Sequence, residues 1–557
     1  MDGWVGKFLR IDLSTGQINV EDLDQDLAKD YIGGRGLASK MLYDEIDPAV
    51  DPLSPDNKLI FVTGPLTGTG AIAGGRYMVV TKSPLTGCIA CSNSGGYFGP
   101  ELEYAGYDMI IFEGKAENPV YLYINDDTVE LRPADDLWGL NTHEAEDAIR
   151  SQIGRPWKGD QFRIASIGPA GEKLSKAACV INDKSRAAGR SGVGAVMGSK
   201  NLKAVVVKGS KGVTVTDRDK FRDLVRDSIE KNRSEAAKVT SQALPIYGTS
   251  VLVNIINESG LLCTRNFQTG VFEGAESISG ETIAGTILRR KRGCFACPMA
   301  CGRITSIEDP AFAGRGEGPE YETVALFGAS CGVDNLGAVT KANYLCNELG
   351  IDTIEAGNIV ACVMELYEKG YLPETDIGFK ANFGNAEALV KLVDLMGKRE
   401  GIGDMMSEGG YALAEKYGHP ELFMGVKKQG LPAYDPRVAQ GMGLSYATSN
   451  RGACHVRSYL IATEILGVNQ KRDPLDTEEK PSVLKIFQDF TAVIDSCGLC
   501  LFLALAEGFG PEDLVPLLEV ATGESFSVDD IMAAGERIWN LERMFNIKAG
   551  LTRADDT

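Results

Sequence analysis

The sequence predicts an α+β fold: a β-rich N-terminal region followed by a mostly helical remainder. Two patterns carry this. Through about residue 210, short apolar runs alternate with glycine-rich turns, as strands do. From "GVTVTDRDKFRDLVRDSIEKN" onward, apolar residues recur at a helical period. The 557 residues supply several domains and ample buried core. We expect divisions at 1–210, 211–416 and 417–557, with no low-complexity linker between them.

"KFLRIDLSTGQINVEDL" alternates Leu9, Ile11 and Leu13, turns at Ser14-Thr15-Gly16 and resumes at Ile18 and Val20, which predicts a hairpin. "KLIFVTG", "RYMVVTKS", "DMIIFEG", "PVYLYINDDTVELR", "RIASIG" and "KAVVVKG" read as further strands, with a turn at Asp126-Asp127. Thr216 can cap a helix whose apolar face is Phe221, Leu224, Val225 and Ile229. "TIEAGNIVACVMELYEKG" and "NAEALVKLVDLMGKREG" read as amphipathic helices ending at Gly370 and Gly401.

The formal net charge of −20 argues against nucleic acid as the main partner, because phosphate binding wants a basic face. The N-terminus lacks the basic-then-apolar layout of a secretory signal. The densest apolar run, "CGLCLFLALA", is about half the ~20 residues of a membrane span. A cytoplasmic location follows as the expectation, with the 13 cysteines reduced or ligating rather than paired.

Cys294, Cys297 and Cys301 stand as C-x2-C-x3-C in "RGCFACPMACGR". Such compact spacing suits an iron–sulfur cluster, with zinc as the rival. A fourth ligand is available in "VIDSCGLCLF", where Cys497 and Cys500 both qualify. Cys88 and Cys91 form another C-x2-C with no completing pair, so both read as core thiols, as do Cys179, Cys263, Cys331, Cys346 and Cys362.

Two loops suit an anionic ligand. Arg76 follows two glycines in "GAIAGGRYMVVTK", and "RAAGRSGVGAVMGSKNLKA" sets Arg186 and Arg190 among glycines. Glycine admits backbone N–H groups close to a phosphate, and arginine adds a forked donor. Only three histidines occur, at 143, 419 and 455, too few for a site built mainly of histidine. His455 lies between Arg451 and Arg457, a polar setting for a proton donor. "EGPEYETVALFG" carries Glu317, Glu320 and Glu322, any of which could serve as acid or base in an apolar pocket.

Taken together, "GGRYMVVTKSPLTG", "ACSNSGGYFG", "GRSGVGAVMGSKNLKA", "CFACPMAC", "GPEYET", "CNELGIDT", "ATSNRGACHVR" and "DSCGLC" make the chain resemble the tungsten-containing aldehyde ferredoxin oxidoreductase family over nearly its whole length. The resemblance implies an N-terminal β domain of two sheets that forms a base for a bis-pyranopterin cofactor, covered by two mostly helical domains. It implies tungsten, with molybdenum as the alternative metal, a magnesium ion between the pterin phosphates, and one [4Fe–4S] cluster. Carried over, the cluster ligands fall on Cys294, Cys297, Cys301 and Cys500. Of the two pterin motifs, of form D-x-x-G-L-(D/C), the second is "DSCGLC", with Asp495, Leu499 and Cys500. The first is "NELGID", which departs from the pattern at Asn347 and Ile351 and keeps Asp352; Asn brings no charge. Further cofactor contacts fall on Arg76, Asn93, Gly95, Arg186, Ala187, Gly189, Arg451 and Arg457, with Asn93 and Ala187 giving magnesium their backbone oxygens.

The resemblance implies oxidation of an aldehyde, with water, to a carboxylic acid, as W(VI) becomes W(IV). Single electrons leave through the cluster to ferredoxin or a ferredoxin-like subunit. His455 matches the active-site histidine, and Glu320 is the first choice of acid/base carboxylate, with Glu322 its rival. No E-x-x-H occurs, so a homo- or hetero-oligomer would form without the metal bridge of some family members. The family's members typically continue past "NIKAGLTRADDT". Two alternatives stand beside this reading. One is another low-potential reaction, such as reduction of a carboxylic acid or an aromatic acyl-CoA, in which Cys454 could meet the metal. The other is a non-catalytic iron–sulfur relay subunit, which would not need two pterin loops.

Overall fold

The computed structural model describes the whole chain except residues 155–161, 235–236, 238, 469 and 507–508. Its N-terminal region holds two six-stranded mixed sheets. The first contains β1 (Lys7–Asp12), β2 (Gln17–Asp22), β3 (Leu59–Val62), β4 (Tyr77–Lys82), β5 (Ile89–Ser94) and β6 (Met109–Glu113), in the order β2-β1-β6-β3-β4-β5. The second contains β7 (Val120–Asn125), β8 (Thr128–Pro133), β9 (Arg163–Ser166), β10 (Val180–Asn182), β11 (Arg186–Ala188) and β12 (Leu202–Lys208), in the order β11-β10-β9-β12-β7-β8. Only β1–β6 and β12–β7 are parallel among the paired strands.

Side-chain alternation explains the layering. Leu59 and Phe61 of β3, with Val79 of β4, pack toward Leu122, Ile124, Val205 and Val207 of the second sheet. Their neighbours Ile60, Val62 and Val80 point the other way, onto Ala38 and Leu42 of the helix Gly34–Glu45. Both faces of the first sheet are therefore buried at β3 and β4, which is why those strands read as unbroken apolar runs. The hairpins at Ser14–Gly16 and Asp126-Asp127 form as expected, and Asp126 takes the positive φ (50°) that such a turn requires.

Two helix ends and one helix face differ from expectation. The helix Arg218–Asn232 is capped by Asp217, whose carboxylate accepts from Lys220 N at 3.0 Å; Thr216 instead donates to Asp2. Helix Thr353–Glu368 is not amphipathic: every residue from Ile354 to Leu366 is buried. The helix Ala386–Lys398 ends on Arg399 in the left-handed region, while Gly401 opens the next helix. The region expected to be helical also contains a three-stranded antiparallel sheet: β13 (Leu288–Arg292), β14 (Gly302–Ile307) and β15 (Gly314–Glu317).

The ends of the chain are clamped together. Arg35, fully buried, donates twice to Glu542 of the C-terminal helix Val528–Lys548, at 2.7 and 2.6 Å. Burial pushes Glu542 up most strongly, but the charge and hydrogen bonds of Arg35, with Arg457 and Asn450, together outweigh it and keep the carboxyl below its ordinary range. No described helix is long and apolar enough to cross a membrane.

Candidate active site

Two segments far apart in sequence build a nest of sulfurs. Cys294, Cys297 and Cys301 lie in the loop from β13 to β14. Ala296 and Ala300 in this loop have positive φ, 48° and 41°, a conformation costing a residue with a side chain about 1–3 kcal/mol. The fourth sulfur comes from the end of the helix Lys480–Cys497. Gly498 caps it at φ 79°, and a Cβ there would stand 2.0 Å from Thr67 Oγ1, so only glycine fits. Cys500 follows, its backbone N–H donating to Ala73 O at 3.2 Å. Ala73 N donates in turn to Ala296 O, and Phe295 N to Gly96 O, which fastens the cysteine loop to the glycine-rich loops before β4 and after β5.

Cys294, Cys297, Cys301 and Cys500 line one small void together with Gly75, Arg76, Met299 and Phe502. Cys497 does not; it is buried in the core. A single zinc would draw its sulfurs to about 2.3 Å from one point, and among the described residues no three His, Cys, Asp or Glu side chains could hold one ion. Four sulfurs around a void fit a larger, polynuclear group. Burial, with the charges of Cys500 and Cys294, pushes the Cys297 thiol up to about 12. Four thiolate ligands held this close call for a strongly cationic centre, as iron would be.

A larger cavity of about 340 Å³ adjoins the nest. Arg76, Cys301, Cys500 and Phe502 line both. Arg76 donates to Cys500 Sγ at 2.9 Å and to Asn93 Oδ1 at 3.1 Å; Asn93 donates to Asp495 Oδ1 at 3.2 Å. Asn93 is on β5 and Ala187 on β11, the edge strands of the two sheets, so the glycine-rich loops meet where the sheets' edges meet. Gly95 lets the nest and Arg76 approach: a Cβ there would be 3.0 Å from Cys294 Sγ and 3.2 Å from Arg76 Cζ.

Of the expected cofactor contacts, Arg76, Asn93, Gly95, Arg186, Ala187, Gly189, Asn347, Ile351, Asp352, Arg451 and Asp495 all line this cavity. Arg457 and Leu499 do not. Arg457 is buried behind it, paired with Asp495 and donating to Cys91 O, and Leu499 is a core residue. Asp352 caps the helix Thr353–Glu368 and accepts from Arg190 at 3.1 Å. Arg190 Nε and Arg451 Nε are buried without a hydrogen-bond partner. A cavity rimmed by arginines with spare donors fits a phosphate-bearing group, since an unmet buried charge is costly.

Glu320 and Glu322 also line the cavity, in different settings. Glu320 is held by Thr249 and lies 3.7 Å from Arg303, with 40% of its side chain exposed. Glu322 is buried, accepts from Ala433 N at 2.8 Å, and faces His455 Nδ1 across 3.8 Å. Neither Glu322 Oε1 nor His455 Nδ1 has a hydrogen-bond partner. Burial pushes Glu322 up to about 8. Burial, with Arg190 and Arg451, pushes His455 down to about 3. Near neutral pH the pair is a carboxylic acid facing a neutral imidazole. Cys454 points elsewhere: it lines neither cavity and accepts from Arg451 at 2.8 Å.

Sequence reasoning missed the aromatic wall of Tyr321, Tyr434 and Tyr459 and, as a site residue, Arg190. Tyr434 and Tyr459 join hydroxyls at 3.2 Å. Arg190 stood in a motif already read as anion-binding; the tyrosines carried no local signal.

Sulfurs on one side of a wall and an isolated acid–histidine pair on the other define a redox enzyme. The chain belongs to the aldehyde ferredoxin oxidoreductase family, whose N-terminal domain matches residues 8–209 and whose domains 2 and 3 match 225–557. It is 54% identical to the tungsten-containing aldehyde ferredoxin oxidoreductase of Pyrococcus furiosus over 100% of this chain and 91% of that one. It is 53% identical to the enzyme of the same name from Pyrococcus horikoshii, over 99% and 90%. Among solved structures, the active-site complex BamBC of benzoyl coenzyme A reductase with 1,5-dienoyl-CoA superposes with a TM-score of 0.86 at 26% identity, covering 100% of this chain and 91% of that one.

Proposed function

We propose that this chain oxidises an aldehyde, with water, to a carboxylic acid, and passes the electrons one at a time to ferredoxin or a ferredoxin-like subunit. The observation that carries this is the shared wall: Arg76, Cys301 and Cys500 belong both to the sulfur nest and to the cavity holding Glu322 and His455. Full-length identity above one half to enzymes named for this reaction supports it.

Cys294, Cys297, Cys301 and Cys500 would hold a [4Fe–4S] cluster. Arg76, Asn93, Gly95, Arg186, Ala187, Gly189, Asn347, Ile351, Asp352, Arg451 and Asp495 would hold a bis-pyranopterin, with Asn93 and Ala187 as the residues whose backbone oxygens would bind its magnesium ion. Bound tungsten, or molybdenum in its place, would supply the two-electron redox change that no side chain can. The two sheets would then be the cofactor's base.

The chain's own residues orient substrate and handle protons. The buried face of the cavity, with Tyr321, Tyr434 and Leu252, would keep bulk water from the aldehyde and seat its apolar part. His455, held neutral, would donate from its ring N–H to the aldehyde oxygen. Glu322 replaces Glu320 as the proposed acid/base, because it alone faces His455 and is buried enough to exchange a proton near neutral pH. Glu320 would shape the rim.

The likeness to a ring reductase raises the alternative reaction, but Cys454 is turned to Arg451 and away from the cavity, which favours the aldehyde reading. An anaerobic assay of an aldehyde panel with a viologen acceptor, with metal quantification, tests the proposal. Carboxylate formation by tungsten- or molybdenum-loaded enzyme supports it. Iron without either metal, and no turnover of any aldehyde, would leave a relay subunit instead.

A further inference from the structure

The chain carries 20 more acidic than basic charges, yet Arg289, Arg290, Lys291 and Arg292 follow one another without interruption. No other place has even three consecutive Lys or Arg residues. This run is β13, the strand that leads directly into Cys294. Arg289, Arg290 and Lys291 are exposed, and the cysteine loop beside them also reaches the surface at Ala296 and Pro298. Arg292 is occupied by the buried Glu317, at 3.2 Å. Arg289 has a loose, exposed pairing with Glu308, at 3.3 Å. Arg290 and Lys291 make no ion pair among the described residues.

We infer that β13 is the docking surface for the electron acceptor, and that the acceptor is a small acidic iron–sulfur protein. The inference rests on the function proposed above and names the partner's contact within it. An acidic carrier is repelled by most of a chain of charge −20 and attracted only where cations gather. Here they gather beside the sulfur nest, so the field that captures the carrier also sets its redox centre near the exit. A nucleic acid would be drawn by the same charges but would gain nothing from that position.

The test uses holoenzyme and a purified ferredoxin of net negative charge. Arg290→Glu with Lys291→Glu is compared with Arg222→Glu with Arg226→Glu, an equal charge change on the exposed face of the helix Arg218–Asn232. At low ionic strength the β13 pair should weaken ferredoxin binding, and raise its KM, about tenfold, the gap closing at high salt. Aldehyde-dependent viologen reduction should persist, showing an intact fold and site, and the control pair should leave binding unchanged. Unchanged ferredoxin binding in the β13 variant, or equal weakening in the control, would overturn the inference. So would unchanged ferredoxin binding with loss of affinity for RNA. If the parent enzyme oxidised no aldehyde with any acceptor, the proposed reaction would fail, while the binding measurement would still decide the docking surface.

Discussion

Arg76 Nη2 lies 2.9 Å from Cys500 Sγ, and Nη1 of the same guanidinium lies 3.1 Å from Asn93 Oδ1. One side chain therefore touches the sulfur nest and the floor of the larger cavity. Burial opposes its charge, and the sulfurs of Cys500, Cys294 and Cys301 more than restore it.

A fixed cation beside a cluster sulfur favours the more negative, reduced state. Arg76→Gln should lower the cluster's midpoint potential by about 60 mV, a tenfold change in a one-electron equilibrium. An EPR-monitored redox titration checks this. An unchanged potential with full cluster content would mean that Arg76 only fills space.

Glu322 and His455 should act as a unit. Glu322→Gln and His455→Ala should retain iron and tungsten but lose about 10²- to 10⁴-fold in kcat, the usual share of acid–base catalysis. Because burial favours the neutral acid, the base form of Glu322 appears only as pH rises through about 8, so kcat/KM should climb across that range. Glu320→Gln should keep this limb and Glu322→Gln should abolish it. Loss of the limb in the Glu320 variant alone would return the role to Glu320.

Asn347 lines the cavity from the helix Leu336–Leu349. Removing one hydrogen-bonding amide costs about 0.5–1.5 kcal/mol. Asn347→Ala should therefore lower pterin retention on dialysis up to about tenfold, while Asn347→Asp should hold it at or above the parent level. Equal retention in all three proteins would remove Asn347 from the pterin site.

Arg35 and Glu542 clamp the first long helix to the last, and Arg35 also stands 3.6 Å from Asp495 at the cavity. Truncating one partner leaves the other charge buried alone, typically at about 3–5 kcal/mol. Arg35→Ala should lower the denaturation midpoint accordingly. Arg35→Met with Glu542→Leu should recover much of the loss. Recovery in the double variant would show that the unpaired Glu542, not lost packing, causes the damage.

The sequence made legible what is local. Glycine turns, strand alternation and the short C-x2-C-x3-C spacing are written within a few residues of themselves, and the strands, the two hairpins and the gathering of Cys294, Cys297 and Cys301 around one void all appear in the fold. Cys500 and Cys497 were indistinguishable by composition; they separate because Gly498 turns the chain and sends one sulfur to the nest and the other to the core. The settings of Glu320 and Glu322 could not be told apart locally either, since they differ by burial and by distant partners, Thr249 and Arg303 for one, Ala433 and His455 for the other, the last 133 positions away. Helix Thr353–Glu368 departs from its amphipathic reading for a similar reason: its polar residues Glu355, Asn358 and Glu365 each bond a distant partner inside the core, Gly430, Leu431 and Asn266. The β13–β15 sheet was hidden because its strands are charged and glycine-rich.

The central claim is that electrons taken from an aldehyde leave by way of the sulfur nest. The direct measurement is EPR of anaerobic holoenzyme frozen after one turnover with aldehyde and no external acceptor. The account predicts that carboxylate formation is accompanied by the signal of a reduced [4Fe–4S] cluster. Carboxylate formed while the cluster stays oxidised would contradict it.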